Sequence, residues 1–172
     1  VDLRHLAAKI GEVDDGDLLI GRRWRRTPVE GRARIEVIAP NVDAVTLAGS
    51  GTLRVDAMNS DEVDVTVAGS GTVDIARVSA TRMSATIAGS GDLEVAGHAD
   101  SGRITVAGSG DIDGRRLQLG RASVSIAGSG DARFSADGRV SASIVGSGNA
   151  LVTGTTECTQ SRMGSGRLTC TR

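Results

Sequence analysis

Residues 63–75 read V-D-V-T-V-A-G-S-G-T-V-D-I, and variants of this unit recur along most of the chain. The Gly-Ser-Gly triplet at its centre occurs seven times, starting at Gly49, Gly69, Gly89, Gly108, Gly128, Gly146 and Gly164. Successive triplets are 18 to 20 residues apart. A period of this length is typical of repeat proteins, in which each copy forms one structural unit that packs against its neighbours.

Apolar residues stand at even distances from each triplet. Two positions before its first glycine are Leu47, Val67, Ile87, Val106, Ile126 and Ile144, and four before it are Val45, Val65, Ala85, Ile104, Val124 and Ala142. The positions four and six after that glycine are mostly apolar as well. This period of two predicts short strands with one buried face on both sides of the triplet. Glycine and β-branched residues are also poor helix formers.

The uniform interval predicts a coil in which each repeat forms one rung. Each strand then pairs in parallel with its copy one turn later, ~4.8 Å away. Crossovers between parallel strands are almost always right-handed. The predicted fold is all-β, a right-handed parallel β-solenoid (β-helix) of about seven rungs, stabilised by stacking. A variable segment such as residues 76–81 would return the chain to the next rung.

The two glycines of each triplet share the parity of the buried positions. A side chain there would point into a narrow interior or strain a bend, whereas glycine allows positive φ and close backbone approach. We therefore expect a corner or pinch that repeats in register. The triplets do not match two known functional motifs. A phosphate-binding loop needs a lysine after its last glycine, and the nucleophile elbow of hydrolases needs G-x-S-x-G, which Ala-Gly-Ser-Gly does not satisfy.

Residues 1–40 contain no triplet. Leu18-Leu19-Ile20 and Ile35-Glu36-Val37-Ile38 have the composition of strands, and they bracket a polar loop that contains Arg22-Arg23-Trp24-Arg25-Arg26. The open ends of a solenoid need to be covered. We therefore expect residues 1–40 to form N-terminal capping strands and a loop, and residues 41–172 to form the solenoid, within one structural domain overall.

Outward positions form columns of small polar residues if the copies stack. One column contains Thr46, Thr66, Thr86, Thr105 and Ser125, and another contains the triplet serines Ser50, Ser70, Ser90, Ser109 and Ser129. Alanines such as Ala68 and Ala88 lie between the two columns. Three interpretations remain open: hydroxyl ladders that satisfy one another, an interface between copies of the chain, and a surface that binds ice or glycan.

Acidic residues follow the triplet on three successive rungs, at Asp92, Asp111 and Asp131. Carboxylates in one column repel each other unless they are solvated or bridged by a cation. A solvated turn is the simpler interpretation, and calcium binding is the alternative because calcium prefers oxygen ligands.

Two cysteines lie near the C-terminus, and they stand six residues before and six residues after the first glycine of the last triplet. Both Cys158 and Cys170 would therefore point inward, at opposite ends of one rung. Because the rung closes on itself, those ends can approach each other. We predict a Cys158–Cys170 disulfide, with two buried thiols as the alternative. A disulfide would indicate an oxidising compartment.

The bulk composition excludes several functional classes. The net charge of −1 gives no global attraction to nucleic acid or to an anionic membrane. No apolar run approaches the ~20 residues needed to span a bilayer. Two cysteines and the distant His5 and His98 do not form a zinc site. We predict no catalytic, cofactor or metal site, and a protein that is not an enzyme.

The repeated V-x-V-A-G-S-G-D-L-x-V units resemble the head GIN domain of auto-transporter adhesins, a bacterial cell-envelope family. DDGDLLIGRR at 14–23 and ARIEVIAPNVDAVTLAGSG at 33–51 resemble the entry strands of that domain. The resemblance implies a β-solenoid exported to the periplasm or cell surface, without catalytic residues. Residues 1–10 lack the features of a signal peptide, and the family leads us to expect a leader and an earlier strand before Val1.

Together these features predict a non-enzymatic envelope or surface protein. It would act through the Thr/Ala/Ser face, by self-association as a homo-oligomer or by binding a cell-surface protein or glycan. One alternative is a β-helix enzyme that acts on polysaccharides, which would need clustered carboxylates on long inserted loops. Others are a bactofilin-like filament scaffold, which needs uncapped ends, and an ice-binding protein.

Overall fold

A computed structural model describes residues 8–14, 17–22, 42–155 and 157–172. The chain forms two compact units, Val1–Ile38 and Ala39–Arg172. In the first unit, strand β1 (Ala8–Asp14) pairs antiparallel with β2 (Asp17–Arg22), which contains the predicted strand at residues 18–20.

Strand β1 was not predicted from the sequence, although the Asp15-Gly16 dipeptide is a common hairpin signal. The predicted strand at residues 35–38 and the arginine-rich loop beyond Arg22 lie outside the described residues. The capping role of residues 1–40 remains a prediction.

The second unit is built from short and long strands. They are β3 (Ala44–Gly49), β4 (Thr52–Val55), β5 (Met58–Asn59), β6 (Glu62–Gly69), β7 (Thr72–Gly89), β8 (Asp92–Gly108), β9 (Ile112–Gly128), β10 (Ala132–Ala136), β11 (Val140–Gly146), β12 (Asn149–Thr153), β13 (Cys158–Gly164) and β14 (Arg167–Thr171). They form one parallel sheet that coils on itself, and the described residues contain no helix.

Equivalent positions of successive repeats are hydrogen-bonded neighbours. Val45 pairs with Val65, which pairs with Ala85, and the first glycines of the triplets pair in the same way. The parallel β-solenoid predicted from the repeat is therefore confirmed. Its length is about six turns rather than about seven rungs, because seven triplets are separated by six steps of the repeat.

The positions two and four before each of the first six triplets line the interior, as predicted. Val67, Ile87 and Ile144 are completely buried, and the first rung is more open at Leu47. The only phenylalanine, Phe134, pairs with Gly114 one turn earlier, so a large side chain lies beneath a position that has none.

The return segment differs from the prediction of a variable connection. Strand β7 runs without interruption through residues 76–81, and Val78 in this segment is 1% exposed. Val78 stacks on Met58 of the preceding turn. Further along the solenoid, Leu119 stacks in the same way on Ala99 of the turn before it. The return segments therefore add another wall to the core. Register shifts, such as the one between Ile75 and Val78, interrupt the period of two that would have revealed it.

The two glycines of each triplet have different roles, and both match the expected ones. The first has a positive φ, which is 123° at Gly69 and 132° at Gly108. The second is packed tightly against the preceding turn. A Cβ added to Gly91 would lie 2.5 Å from the carbonyl oxygen of Gly71 and 2.7 Å from Cγ1 of Val67. Such contacts are too short, so only glycine fits without displacing backbone.

We expect Gly91→Ala to lower the free energy of unfolding by about 1–3 kcal/mol, because overpacking against backbone cannot be relieved by a rotamer change. Gly51→Ala is the matched control: at the same triplet position in the first rung, no heavy atom of the described residues lies within 4 Å of the added Cβ. Urea unfolding of both variants measures the difference. Equal destabilisation would show that close approach between turns is not the reason for glycine.

Candidate binding face

The predicted hydroxyl column is present and continuous. Thr46, Thr66 and Thr86 pair in register, followed by Thr105 and Ser125 on the next two turns. These side chains point away from the core. The middle three are half-buried, and Thr46 and Ser125 at the two ends are exposed.

The triplet serines form the second predicted column at the adjacent corner. All five, Ser50, Ser70, Ser90, Ser109 and Ser129, are exposed. Their backbone position is held by the corner itself: the Ser90 N–H donates to the Gly69 carbonyl oxygen at 2.8 Å. The serine hydroxyls are therefore presented outward by a rigid repeat.

Between these columns lies a row of alanines, exposed at Ala88, Ala107 and Ala127. We call the three columns together the flat face. Near the C-terminal end of the alanine row, Val145 is 50% exposed and Met163 is 74% exposed. The flat face thus carries hydroxyls along its whole length, because the two hydroxyl columns continue as the exposed Ser143, Ser147, Ser161 and Ser165, and only its middle row becomes large and apolar on the last two turns.

A groove on the same sheet was not foreseen from the sequence. It lies on the other side of the threonine column, has a volume of about 970 Å³, and is lined by Arg103, Arg121 and Arg139 with Ser123 and Ser141. We call it the arginine groove. A signal was available, because Arg121 and Arg139 both stand seven positions before the first glycine of a triplet.

Charged residues on the strands that follow the triplets are arranged differently, as pairs of opposite sign. Arg116 donates to Glu94 at 2.9 Å, and Nε of Arg115 donates to Oδ1 of Asp113 at 2.9 Å. The hydrogen bond from Arg115 lowers the pKa of Asp113 below its usual value, and Asp113 in turn raises the pKa of Arg115. These pairs are largely exposed, so each contributes little to stability.

The aspartate column has a structural role in the corners. The backbone N–H of Asp131 donates to Oδ1 of Asp111 at 2.8 Å, and the N–H of Asn149 donates to Oδ1 of Asp131 at 2.8 Å. Asp92 accepts the N–H of Asp111 in the same way at 3.2 Å. Each carboxylate thus accepts an N–H of the following turn. On an earlier turn the equivalent N–H, that of Asp92, donates to the carbonyl oxygen of Gly71 instead. In the part of the chain that the structure describes, no group of three or more His, Cys, Asp or Glu side chains is placed to hold a metal.

We expect Asp111→Ala to destabilise the domain by about 1 kcal/mol, because the N–H of Asp131 loses its acceptor. Asp111→Asn keeps an oxygen at Oδ1 and is expected to lose much less. Thermal unfolding of both variants, with and without calcium, makes the comparison. Equal losses would exclude the accepting role, and a rise in Tm with calcium would favour the cation instead.

The last rung has little apolar burial of its own. Gln160 and Arg162 replace the buried Ala142 and Ile144 of the rung before, and both are exposed. The structure joins Cys158 to Cys170 in a disulfide, with Cα atoms 6.6 Å apart. Both cysteines are half-buried and pack against the end of the core. The disulfide therefore holds together a rung that packing holds only weakly.

We expect Cys158→Ser to remove about 2–4 kcal/mol of stabilisation from the last rung, the usual range for a disulfide. Amide hydrogen exchange should then accelerate in residues 158–171 and change little in the central turns. Cys170→Ser and the double variant should behave alike, because all three lack the same bond. Two free thiols in the mass of the unmodified protein would contradict the pairing.

The coil of Gly-Ser-Gly corners can now be compared with known proteins. Residues 7–156 match the family described as "Putative auto-transporter adhesin, head GIN domain". This chain belongs to that family. Membership agrees with the resemblance seen in the repeats, and a family of this description implies a surface or envelope protein.

Solved structures share the fold. A "putative adhesin" from Bacteroides fragilis is 23% identical with a TM-score of 0.72, and the match covers 78% of this chain and 62% of that one. A "Putative lipid binding protein" from Parabacteroides distasonis is 32% identical with a TM-score of 0.70, covering 77% and 54%. A "putative adhesin" from Parabacteroides merdae is 20% identical with a TM-score of 0.63, covering 76% and 63%.

This chain therefore spans less than two thirds of each of these proteins. No curated protein matches it. Among the described residues, there is no helix long and apolar enough to cross a membrane.

Proposed function

We propose that this protein is a non-enzymatic binding domain, exported to the periplasm or cell surface, that engages its partner through the flat face. The observation that carries the proposal is the register: hydroxyl and alanine columns repeat on five successive turns without a large side chain to interrupt them, and Val145 and Met163 replace alanine on the last two turns. Small residues allow a second surface to approach closely, whether it belongs to another copy, a cell-surface protein or a glycan.

The compartment is supported by two independent features. The description of the family as auto-transporter adhesins implies a surface or envelope location, and the last rung carries a disulfide. Disulfides persist in oxidising environments such as the periplasm and the cell exterior. Export is therefore consistent with the chemistry of the chain itself.

A binding role is favoured over catalysis by how the acidic side chains are used. Asp92, Asp111 and Asp131 accept backbone hydrogen bonds, and Asp113 and Glu94 are paired with arginines. A glycoside-cleaving site would need two carboxylates that face a substrate across a cleft. In the described part of the chain, the acidic column instead serves the corners.

Lipid binding, which the name of the Parabacteroides distasonis protein suggests for that protein, has less support here. Large exposed apolar side chains in the described residues are Val145, Leu151 and Met163. Of these, Val145 and Met163 pair in one column and Leu151 lies elsewhere. They form no apolar cavity that could enclose an acyl chain.

We expect the double variant Ala107→Arg/Ala127→Arg to weaken binding about tenfold or more, because two bulky charges would be buried unpaired in the contact. Both positions are exposed, so the fold should tolerate them. Binding is measured by co-sedimentation with cell envelopes of the source bacterium, and self-association by equilibrium sedimentation.

The matched control is Thr153→Arg together with Thr169→Arg, two exposed positions on the strands after the triplet. This variant adds the same charge and should bind like the unmodified protein. If the flat-face variant also binds and self-associates normally, the flat face is not the contact surface.

A further inference from the structure

Arginines on the outward surface of the solenoid differ in whether they form ion pairs. On the strands after the triplets, Arg54, Arg116 and Arg133 each form an ion pair, with Asp74, Glu94 and Asp131 respectively. In the arginine groove, Arg103, Arg121 and Arg139 lie on three successive turns. Within residues 42–155 and 157–172, no carboxylate forms an ion pair with any of these three.

The register brings two of the groove arginines together. Ala122 pairs with Val140, so the preceding residues Arg121 and Arg139 are neighbours on adjacent turns. The Ala122 N–H donates to the Arg139 carbonyl oxygen at 3.1 Å, which holds the two backbones at this spacing. Like charges at adjacent positions of a sheet are destabilising. Glu157 is next to Arg139 on the following turn but forms no ion pair with it, so an anionic ligand would relieve the remaining repulsion between Arg121 and Arg139.

The rest of the groove defines its polarity. Its floor includes backbone at Gly102 and Gly120. The remaining charged residues of the lining are Glu62, Asp64, Arg82 and Asp100. Arg82 donates to Glu62 at 3.3 Å, and Asp100 lies 3.4 Å from Nε2 of His98. The unpaired positive charge is thus concentrated at one end, on the turns of Arg103, Arg121 and Arg139.

We propose that the arginine groove binds an acidic polysaccharide, whose carboxylate or sulfate groups pair with Arg103, Arg121 and Arg139. The proposal goes beyond the proposed function, because the arginine groove is a second surface that lies beside the flat face. Successive turns are ~4.8 Å apart, so the three guanidinium groups form a row. A row of this kind suits an extended polymer with several anionic groups better than one small ion. Guanidinium groups bind carboxylate and sulfate-like oxyanions through paired hydrogen bonds.

The surroundings of the arginines suit a sugar chain better than other polyanions. Ser123 and Ser141 offer hydroxyls beside the arginines, and the threonine column adjoins them. Single-stranded nucleic acid is usually held by exposed aromatic side chains. In residues 42–155 and 157–172 the aromatic side chain is Phe134, which is 2% exposed. No large exposed apolar side chain lines the groove to enter a membrane.

Titration calorimetry of the intact chain at low salt tests the proposal. Alginate supplies carboxylates, dextran sulfate supplies sulfates, and neutral dextran is the uncharged reference. We expect at least one of the two anionic polymers to bind, with an affinity that falls as salt is added, and dextran not to bind. The more tightly bound anionic polymer identifies the preferred group.

The variant Arg103→Gln/Arg121→Gln/Arg139→Gln should weaken this binding about tenfold or more, because each exposed ion pair contributes up to about fivefold. The matched control is Arg54→Gln/Arg116→Gln/Arg133→Gln, which removes the same charge from the paired side. It should keep the affinity of the unmodified protein. Without ligand, the groove variant should unfold at the same temperature or higher, since the repulsion is gone.

Three results would overturn the proposal: no binding of either anionic polymer, equal losses in the two triple variants, or tighter binding of single-stranded DNA or phosphatidylglycerol vesicles. Its failure can be told from failure of the proposed function. If Ala107→Arg/Ala127→Arg abolishes envelope binding while the groove variant retains it, the flat face binds and the groove does not.

Discussion

Parallel hydrogen bonding between copies of one segment, one turn apart, is the constraint on which the rest of the solenoid depends. It places Val45, Val65 and Ala85 in adjacent layers, and it does the same for the other positions of the strands that lead into the triplets. Because side chains alternate along a strand, one register sends the apolar residues inward and the small hydroxyl residues outward together. A slip of one residue would reverse both faces.

The glycine corners keep this register while the repeat length varies. Register shifts occur in the return segments, for example between Ile75 and Val78 and between Phe134 and Ser135, whereas the triplets pair without a shift. A positive φ at the first glycine and close contact at the second leave the corner few alternatives. Added or missing residues are therefore absorbed where the strands are least constrained. The flat face stays continuous because it adjoins the corners.

The repeat made much of the fold predictable. The triplet spacing identified the solenoid, and the even offsets identified residues such as Ile87 that are fully buried. The same parity argument brought Cys158 and Cys170 to one rung. The return wall at Val78 was missed because a register shift breaks the alternation there. Strand β1 was missed because its pairing depends on a hairpin outside the repeat. The outward hydroxyl columns were also predicted from the sequence, because they have the opposite parity to the core.

What the sequence by itself determined is the period, the parity of the core and the composition of each column, since these follow from order along the chain. Only the tertiary structure decided which charges meet. Arg121 and Arg139 are 18 residues apart in sequence and become neighbours because two turns stack. Arg116 likewise donates a hydrogen bond to Glu94 of the preceding turn. Ion pairing depends on distances of a few ångströms, and such distances are set by register shifts and side-chain packing that no linear pattern records.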